Sequence, residues 1–108
     1  MAFDLQHALR AVVEEGGSDL HIKVPSRPLM RLQGRLTPLE ETEPLTPADT
    51  ERVLREMLTA SDRLADFARD GEIDFSYTVR GLARFRVNAF RQRGSISIAC
   101  RVVPFSIR

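Results

Sequence analysis

The sequence predicts an α+β domain, in which helices pack on one face of an antiparallel sheet of about five strands. Two segments within the first 70 residues carry apolar residues at helical spacing. From residue 72 onwards, apolar and polar residues alternate instead, which is the period of a half-buried strand. Short turns containing glycine separate the alternating segments, as is usual between antiparallel neighbours. With 108 residues, 43% of them hydrophobic and 29% charged, the chain has the size and composition of one globular domain.

Three helices are predicted. The first covers residues 3–15 and ends at Gly16-Gly17, because a glycine pair accepts the left-handed backbone of a helix cap. The second begins with Thr46 as N-cap and Pro47 at its first position, a common arrangement at helix starts. A third, shorter helix is predicted to be capped by Ser61-Asp62 and to end at Gly71.

The predicted strands fall into three groups. Residues 18–24 alternate between apolar and polar side chains and predict a single strand. Residues 29–39 predict a hairpin that turns at Gln33-Gly34. Residues 72–102 predict three strands joined as an antiparallel meander, with one face open to water.

Several functional classes are excluded or disfavoured by the sequence. No apolar run approaches the ~20 residues that cross a bilayer, and the first ten residues resemble no targeting peptide. The single cysteine, Cys100, lies in an apolar strand-like run and is predicted to be a buried, inert thiol. The only lysine, Lys23, follows Ile22 rather than a glycine, so no phosphate-binding loop of the form G-x-x-x-x-G-K-[ST] is present. We therefore expect no nucleotide hydrolysis, no catalytic residue, no metal site and no cofactor of the chain's own.

The two histidines do not form an obvious site. His7 lies on the polar side of the first predicted helix and is expected to face solvent. His21 is flanked on its strand face by Asp19 and Lys23. It is interpreted either as an exposed strand histidine bonded to a neighbour or as a catalytic group, and the sequence leaves both open.

The charges are strongly segregated along the chain. The net charge is only +1, yet all 15 acidic side chains precede residue 75. Residues 75–108 hold seven arginines and no acid, at positions 80, 84, 86, 91, 93, 101 and 108. Such an asymmetry indicates a basic surface for an anionic partner.

The basic residues concentrate in the segment A-R-F-R-V-N-A-F-R-Q-R-G, residues 83–94. In a strand, Arg84, Arg86 and Asn88 project from one face at intervals of about 6.6–6.8 Å, and Arg93, on the adjoining turn, is expected to reach the same region. These guanidinium groups either pair with acidic side chains of the same domain or bind a phosphate or a carboxylate cluster of a partner.

Two other functions remain open at this point. The segment interleaves Phe85 and Phe90 with arginines, as in a nucleic-acid-binding sheet, although Phe85 falls on the apolar face and is expected in the core. A small-ligand sensor is the other possibility, but no polar cluster in the sequence indicates a pocket.

Four motifs occur in a characteristic order: S-D-L-H at 18–21, P-L-M-R-L-Q-G-R-L at 28–36, E-I-D-F-S-Y at 72–77 and A-R-F-R-V-N-A-F at 83–90. Together they resemble the N-terminal domain of the type IV pilus twitching-motility ATPases, the PilT family of the secretion-ATPase superfamily. The resemblance covers almost the whole chain.

The resemblance implies a PAS-like domain over residues 1–104 and the start of an interdomain linker at residues 105–108. A RecA-like ATPase domain, which binds ATP and Mg²⁺, would follow in the family and is absent from this sequence. By the same resemblance, Arg84, Arg86 and Arg93 would contact the nucleotide phosphates in the assembled protein. The chain would then be the non-catalytic N-terminal domain of a hexameric pilus-retraction motor.

The resemblance also implies partners and a location. Asp19, His21 and Asn88 are assigned to contacts between domains. The partners would be the chain's own ATPase domain, neighbouring subunits of a homohexamer and the inner-membrane pilus machinery, at which a cytoplasmic protein would be peripherally bound. A nucleic-acid-binding module that uses residues 83–94 is the alternative.

Overall fold

The chain forms three helices and six strands in a computed structural model that describes residues 3–59 and 61–104. The predicted linker at 105–108 lies outside these residues, as do the side chains of the predicted cap Ser61-Asp62. The elements are α1 (Leu5–Glu15), β1 (Asp19–Ile22), β2 (Leu29–Leu32), β3 (Arg35–Pro38), α2 (Pro47–Met57), α3 (Ser61–Asp70), β4 (Glu72–Val79), β5 (Ala83–Gln92) and β6 (Ser95–Val103). The predicted α+β class is confirmed, and the sheet has six strands where about five were expected.

All strands belong to one antiparallel sheet with the order β3-β2-β1-β6-β5-β4. The predicted hairpin forms β2 and β3, and the predicted meander forms β4, β5 and β6. β1 joins the two groups, since Leu20 lies opposite Met30 on one side and opposite Cys100 on the other. The side chains of β1 therefore meet those of the last strand, about 80 residues away in sequence.

Two hairpins have the same tight turn. Gln33-Gly34 connects β2 to β3, and Arg93-Gly94 connects β5 to β6. All four residues have positive φ angles, between 52° and 82°. This is the two-residue turn whose twist matches that of the flanking strands, and it fixes the register of both hairpins.

The core lies between the three helices and one face of the sheet. α1 packs on β1, α2 on β6 and α3 on β4. The most deeply buried residues of the core include Leu5, Leu9, Val12, Leu20, Ile22, Val53, Leu54, Phe85 and Cys100. Burial raises the pKa of the Cys100 thiol to about 12, so it stays protonated and unreactive, as predicted.

The helix ends follow from local sequence. Asp4 caps α1 by accepting a hydrogen bond from the His7 backbone amide, and Gly16 ends the helix in the left-handed region. α2 begins with the predicted Thr46 cap, which forms a reciprocal capping box with Asp49. Of the helices that the structure describes, none is long and apolar enough to span a membrane.

Candidate functional site

The sheet face opposite the helices, called here the open face, carries the arginines of β5. The buried side of this strand consists of Ala83, Phe85, Val87 and Ala89, each at most 2% exposed. The alternate residues therefore project from the open face. Arg84 and Arg86 are exposed there, and Asn88 and Phe90 are half-buried. Arg84, Arg86 and Asn88 thus share one face, as the alternation predicts.

The cross-strand neighbours of these arginines do not neutralise them. Arg86 lies opposite Ser76 of β4 and opposite Arg101 of β6. Like charges at directly opposed positions destabilise an antiparallel pair. Two guanidinium groups therefore face solvent side by side at a position where an opposite charge would be favoured.

The acidic side chain in line with Arg86 and Arg101 pairs with Arg101. Asp19 of β1 lies opposite both Arg101 and Arg31, and its carboxylate is 3.4 Å from Arg101 Nε. Its side chain is only 11% exposed and also accepts a hydrogen bond of 2.6 Å from Ser18 Oγ. Four strands thus present the row Arg31, Asp19, Arg101 and Arg86, in which three cations share one carboxylate.

The acidic residues of β4 have other neighbours. Asp74 accepts a hydrogen bond of 2.9 Å from the Asn88 side-chain amide, and Glu72 lies opposite Phe90. Within the described part of the chain, Arg84 and Arg86 have no ion pair and no side-chain hydrogen bond. The described residues therefore do not support the interpretation that acidic side chains of the same domain neutralise Arg84 and Arg86.

His21 lies on the open face of β1, between Leu29 of β2 and Ala99 of β6. Its Nε2 is shielded from solvent and has no hydrogen-bond partner among the residues that the structure describes. Burial is the main cause that lowers the pKa of His21 below 6.5. The imidazole is therefore neutral at pH 7, and the predicted bond to a neighbour is not formed through this atom.

Arg93 does not join this group. It occupies the turn that follows β5, nine residues beyond Arg84, and an extended strand of that length spans roughly 30 Å. The expectation that Arg93 reaches the region of Arg84 and Arg86 fails, because β5 is extended over its full length and carries the turn to the other end of the sheet. Arg91, by contrast, points to the helix side, where its guanidinium lies 5.2 Å from the centre of the Phe67 ring.

Two residues of the open face were missed at the sequence level. Arg101 follows the buried Cys100 in β6 and therefore projects from the opposite face of the sheet. The alternation in the sequence was sufficient to assign Arg101 to the open face. The positions of Arg31 and Arg101 on either side of Asp19 depend on β1 pairing with β2 and β6, for which the sequence carries no local signal. The described residues include no cluster of three or more His, Cys, Asp or Glu side chains that could hold a metal ion.

The open face can therefore bind an anion. Guanidinium groups donate paired hydrogen bonds to phosphate or carboxylate oxygens, and exposed arginines without acidic partners favour such a ligand.

Comparisons with known proteins agree with this picture. The chain matches no protein-family model. It is 36% identical over 104 residues to the type IV pilus ATPase PilU of Pseudomonas aeruginosa, covering 96% of this chain and 27% of PilU. It is 31% identical over 104 residues to the type IV pilus retraction ATPase PilT of the same organism, covering 96% of this chain and 30% of PilT.

Solved structures show the same fold. The pilus retraction motor PilT with bound ADP superposes with a TM-score of 0.89 at 32% identity, over 98% of this chain and 31% of that one. The ATPase DotB of Legionella pneumophila shares the fold at a TM-score of 0.79 and 20% identity, over 96% of this chain and 30% of that one. The chain thus spans about 30% of the length of the proteins it matches. Sequence identity and fold together support an N-terminal domain of the kind found in the PilT-family pilus ATPases.

Proposed function

We propose that the chain is the non-catalytic N-terminal domain of a hexameric pilus-retraction motor, and that its open face senses nucleotide bound by the ATPase domain. Its partners are then that ATPase domain, the neighbouring subunits of the ring and the pilus machinery of the inner membrane, on the cytoplasmic side. The relatives PilU and PilT are type IV pilus ATPases, and the PilT structure contains ADP; both facts support the proposal.

The observation that carries the proposal is the opposed pair Arg86 and Arg101, beside Arg84, with a single carboxylate within the row. This arrangement is unfavourable in the isolated domain and becomes favourable when a phosphate is placed over it. ATP and Mg²⁺ would be held by the ATPase domain. Arg84 and Arg86 would add charge that stabilises the phosphates and that responds to the loss of the γ-phosphate.

The remaining polar residues of the open face support a contact between domains. Asp19 holds the Arg101 guanidinium in place, and Asp74 orients the Asn88 amide. The His21 Nε2 lacks a partner, and buried polar atoms are normally hydrogen-bonded. Because this atom is shielded from solvent, we infer that His21 bonds to the ATPase domain only after its imidazole turns outward.

Arg93 has a separate role in this proposal. Because it lies roughly 30 Å from Arg84 along β5, the two residues do not contact the same phosphate within one domain. Arg93 is exposed on its turn and would contact a nucleotide only at a different point of the ring.

Nucleic-acid binding is not favoured by any observation. A stacking surface needs exposed aromatic rings on the sheet, but Phe85 is fully buried. Only Phe90 of the two phenylalanines in the segment lies on the open face, and it is half-buried.

The test is ATP turnover in a protein that joins this chain to its ATPase domain. Arg84→Ala and Arg86→Ala are made separately, with Arg10→Ala, an exposed arginine on α1, as the control. At least one of the first two is expected to lower turnover by roughly 100-fold, the effect of removing a group that stabilises transition-state charge. The control should stay within about twofold of the parent protein, since surface substitutions of this kind are usually near neutral.

A lysine substitution at position 86 tests whether charge alone is sufficient. Arg86→Lys keeps the positive charge but cannot form two parallel hydrogen bonds to a phosphate, so we expect partial recovery only. Unchanged turnover in both alanine variants, with the fold intact by circular dichroism, would refute the nucleotide-facing role.

A further inference from the structure

A groove with a volume of about 760 Å³ lies on the helix side of the molecule, beside α1. One wall is a single stripe of α1 that contains Ala8 and Ala11 and extends from Asp4 to Glu15. Residues at these intervals share one face of a helix, and α1 is roughly 16 Å long. The alanines leave an opening that larger side chains at the same positions would fill.

The opposite wall is the connector between β3 and α2, residues 39–46. Arg27, which does not line the groove, donates a hydrogen bond of 2.7 Å to the Leu39 carbonyl oxygen. The Leu45 amide donates to the Ser26 carbonyl oxygen at 2.9 Å, and Glu41 adopts a positive φ of 59°. The backbone of the connector is thus tied down near both ends.

The floor and the rim differ in chemistry. Buried apolar side chains, among them Met30, Leu39 and Leu45, form the floor. The rim carries exposed carboxylates from α1 and the connector: Glu15, Glu40, Glu41 and Glu43. None of these four forms an ion pair within the described residues, and the only basic side chain in the lining is His7.

We propose that this groove binds a segment of a partner protein in which apolar side chains alternate with Lys or Arg. The apolar side chains enter between α1 and the connector, and the cations meet the carboxylates on the rim. The volume lies within the roughly 300–1,000 Å³ of sites that bury drug-sized ligands, and a ligand of that size is comparable to a few side chains. The carboxylates are distributed along both walls rather than converging on a point, which fits a chain with several cations better than a single ion.

A second copy of this domain is a poorer occupant. Its open face supplies arginines, but among the described residues the large apolar side chain that is exposed is Leu36. Leu36 belongs to β3, the strand that borders the same groove through Thr37 and Pro38. A partner protein therefore fits the combination of an apolar floor and an acidic rim better.

The test uses fluorescein-labelled octapeptides and the 108-residue chain in fluorescence anisotropy. The probes are an alternating Leu-Lys peptide, a Ser-Lys peptide of equal charge and a Leu-Glu peptide. Only the Leu-Lys peptide is expected to bind, and Glu40→Gln/Glu41→Gln/Glu43→Gln should weaken it by about tenfold or more, or about 1.4 kcal/mol. Ala11→Leu fills the groove without changing the charge and should cause a similar loss, while leucine maintains the helix.

Matched control variants distinguish binding of the Leu-Lys peptide in the groove from nonspecific electrostatic binding to the acidic surface of the chain. Glu14→Gln/Glu51→Gln/Glu72→Gln removes three exposed carboxylates outside the groove, and Ala65→Leu adds a leucine on the exposed side of α3. Both controls should bind the Leu-Lys peptide within about twofold of the parent chain, because their substitutions lie outside the groove lining.

Three results would overturn the proposal. The Leu-Lys peptide does not bind, the Ser-Lys peptide binds equally well, or the groove variants and their controls lose affinity for the Leu-Lys peptide to the same extent. Sedimentation is measured at the same concentrations. A dimer that Ala11→Leu dissociates would identify a second copy as the occupant instead of a partner protein.

Discussion

Reversing one charge of the open face should stabilise the isolated domain. Arg86 and Arg101 lie directly opposite each other, so their Cβ atoms are about 5 Å apart. For a Coulomb calculation we assume a separation of about 8 Å between their flexible guanidinium groups. Two unit charges at that separation in water repel by about 0.5 kcal/mol. Arg86→Glu turns this repulsion into an attraction of similar size, so the free energy of unfolding should rise by about 1 kcal/mol at low salt. For a domain of this size, that increase raises the Tm by roughly 4 °C.

The assay is urea and thermal unfolding of the 108-residue chain at about 10 mM and about 1 M salt. The Debye length falls from about 30 Å to about 3 Å between these conditions, so the gain should disappear at high salt. Arg35→Glu is the matched control, because Arg35 is also an exposed strand arginine but lies opposite Leu32. A loss of stability in Arg86→Glu, or a gain that persists at 1 M salt, would refute the argument that Arg86 lacks a neutralising partner.

Three further predictions concern the core, the open-face histidine and the alternative function. A Cβ atom at Gly17 would lie 2.7 Å from Met30 Cγ and 3.1 Å from the Arg31 carbonyl oxygen, so Gly17→Ala should cost about 1–3 kcal/mol in urea unfolding. Gly16 has free space but a φ of 81°, so Gly16→Asn should be better tolerated than Gly17→Asn; the opposite order would contradict this. Because the unfolded His21 imidazole takes up a proton near pH 6.5 and the folded one only at lower pH, the free energy of unfolding should fall as the pH drops below about 6.5. The His21→Gln variant should not show the part of this decrease that comes from His21. Identical pH profiles of the free energy of unfolding in the variant and the parent chain would exclude a contribution from His21. Labelled single-stranded DNA should bind the chain only weakly; tight binding that decreases steeply with salt would favour the nucleic-acid alternative.

Much of this fold could be predicted because its signals are local. The alternation in residues 83–89 fixes the faces of β5, and Gln33-Gly34 fixes the β2–β3 turn. The Thr46 cap and the buried Cys100 also follow from sequence neighbours.

The parts that escaped prediction depend on contacts between distant segments. The Asp19–Arg101 ion pair requires β1 to pair with β6, and no residue near either partner encodes that pairing. Arg93 is a different case, because its distance from Arg84 is a local property of β5, which extends without a bend to its turn. The groove was also not predicted, because it arises where α1 meets a connector that is at least 24 residues away in sequence.

The segregation of charge along the sequence becomes a segregation of surfaces in the fold. The basic residues Arg84, Arg86 and Arg101 lie on the open face of β5 and β6, whereas the groove lies on the helix side, near the β2–β3 edge. The two surfaces share no residue, and substitutions at distant sites without common partners usually act additively. We therefore expect Arg86→Ala to leave the affinity for the Leu-Lys peptide within about twofold, and the triple glutamine variant at 40, 41 and 43 to leave ATP turnover of the full protein within about twofold. Loss of turnover in the groove variant would contradict this independence and show that the two surfaces are energetically coupled.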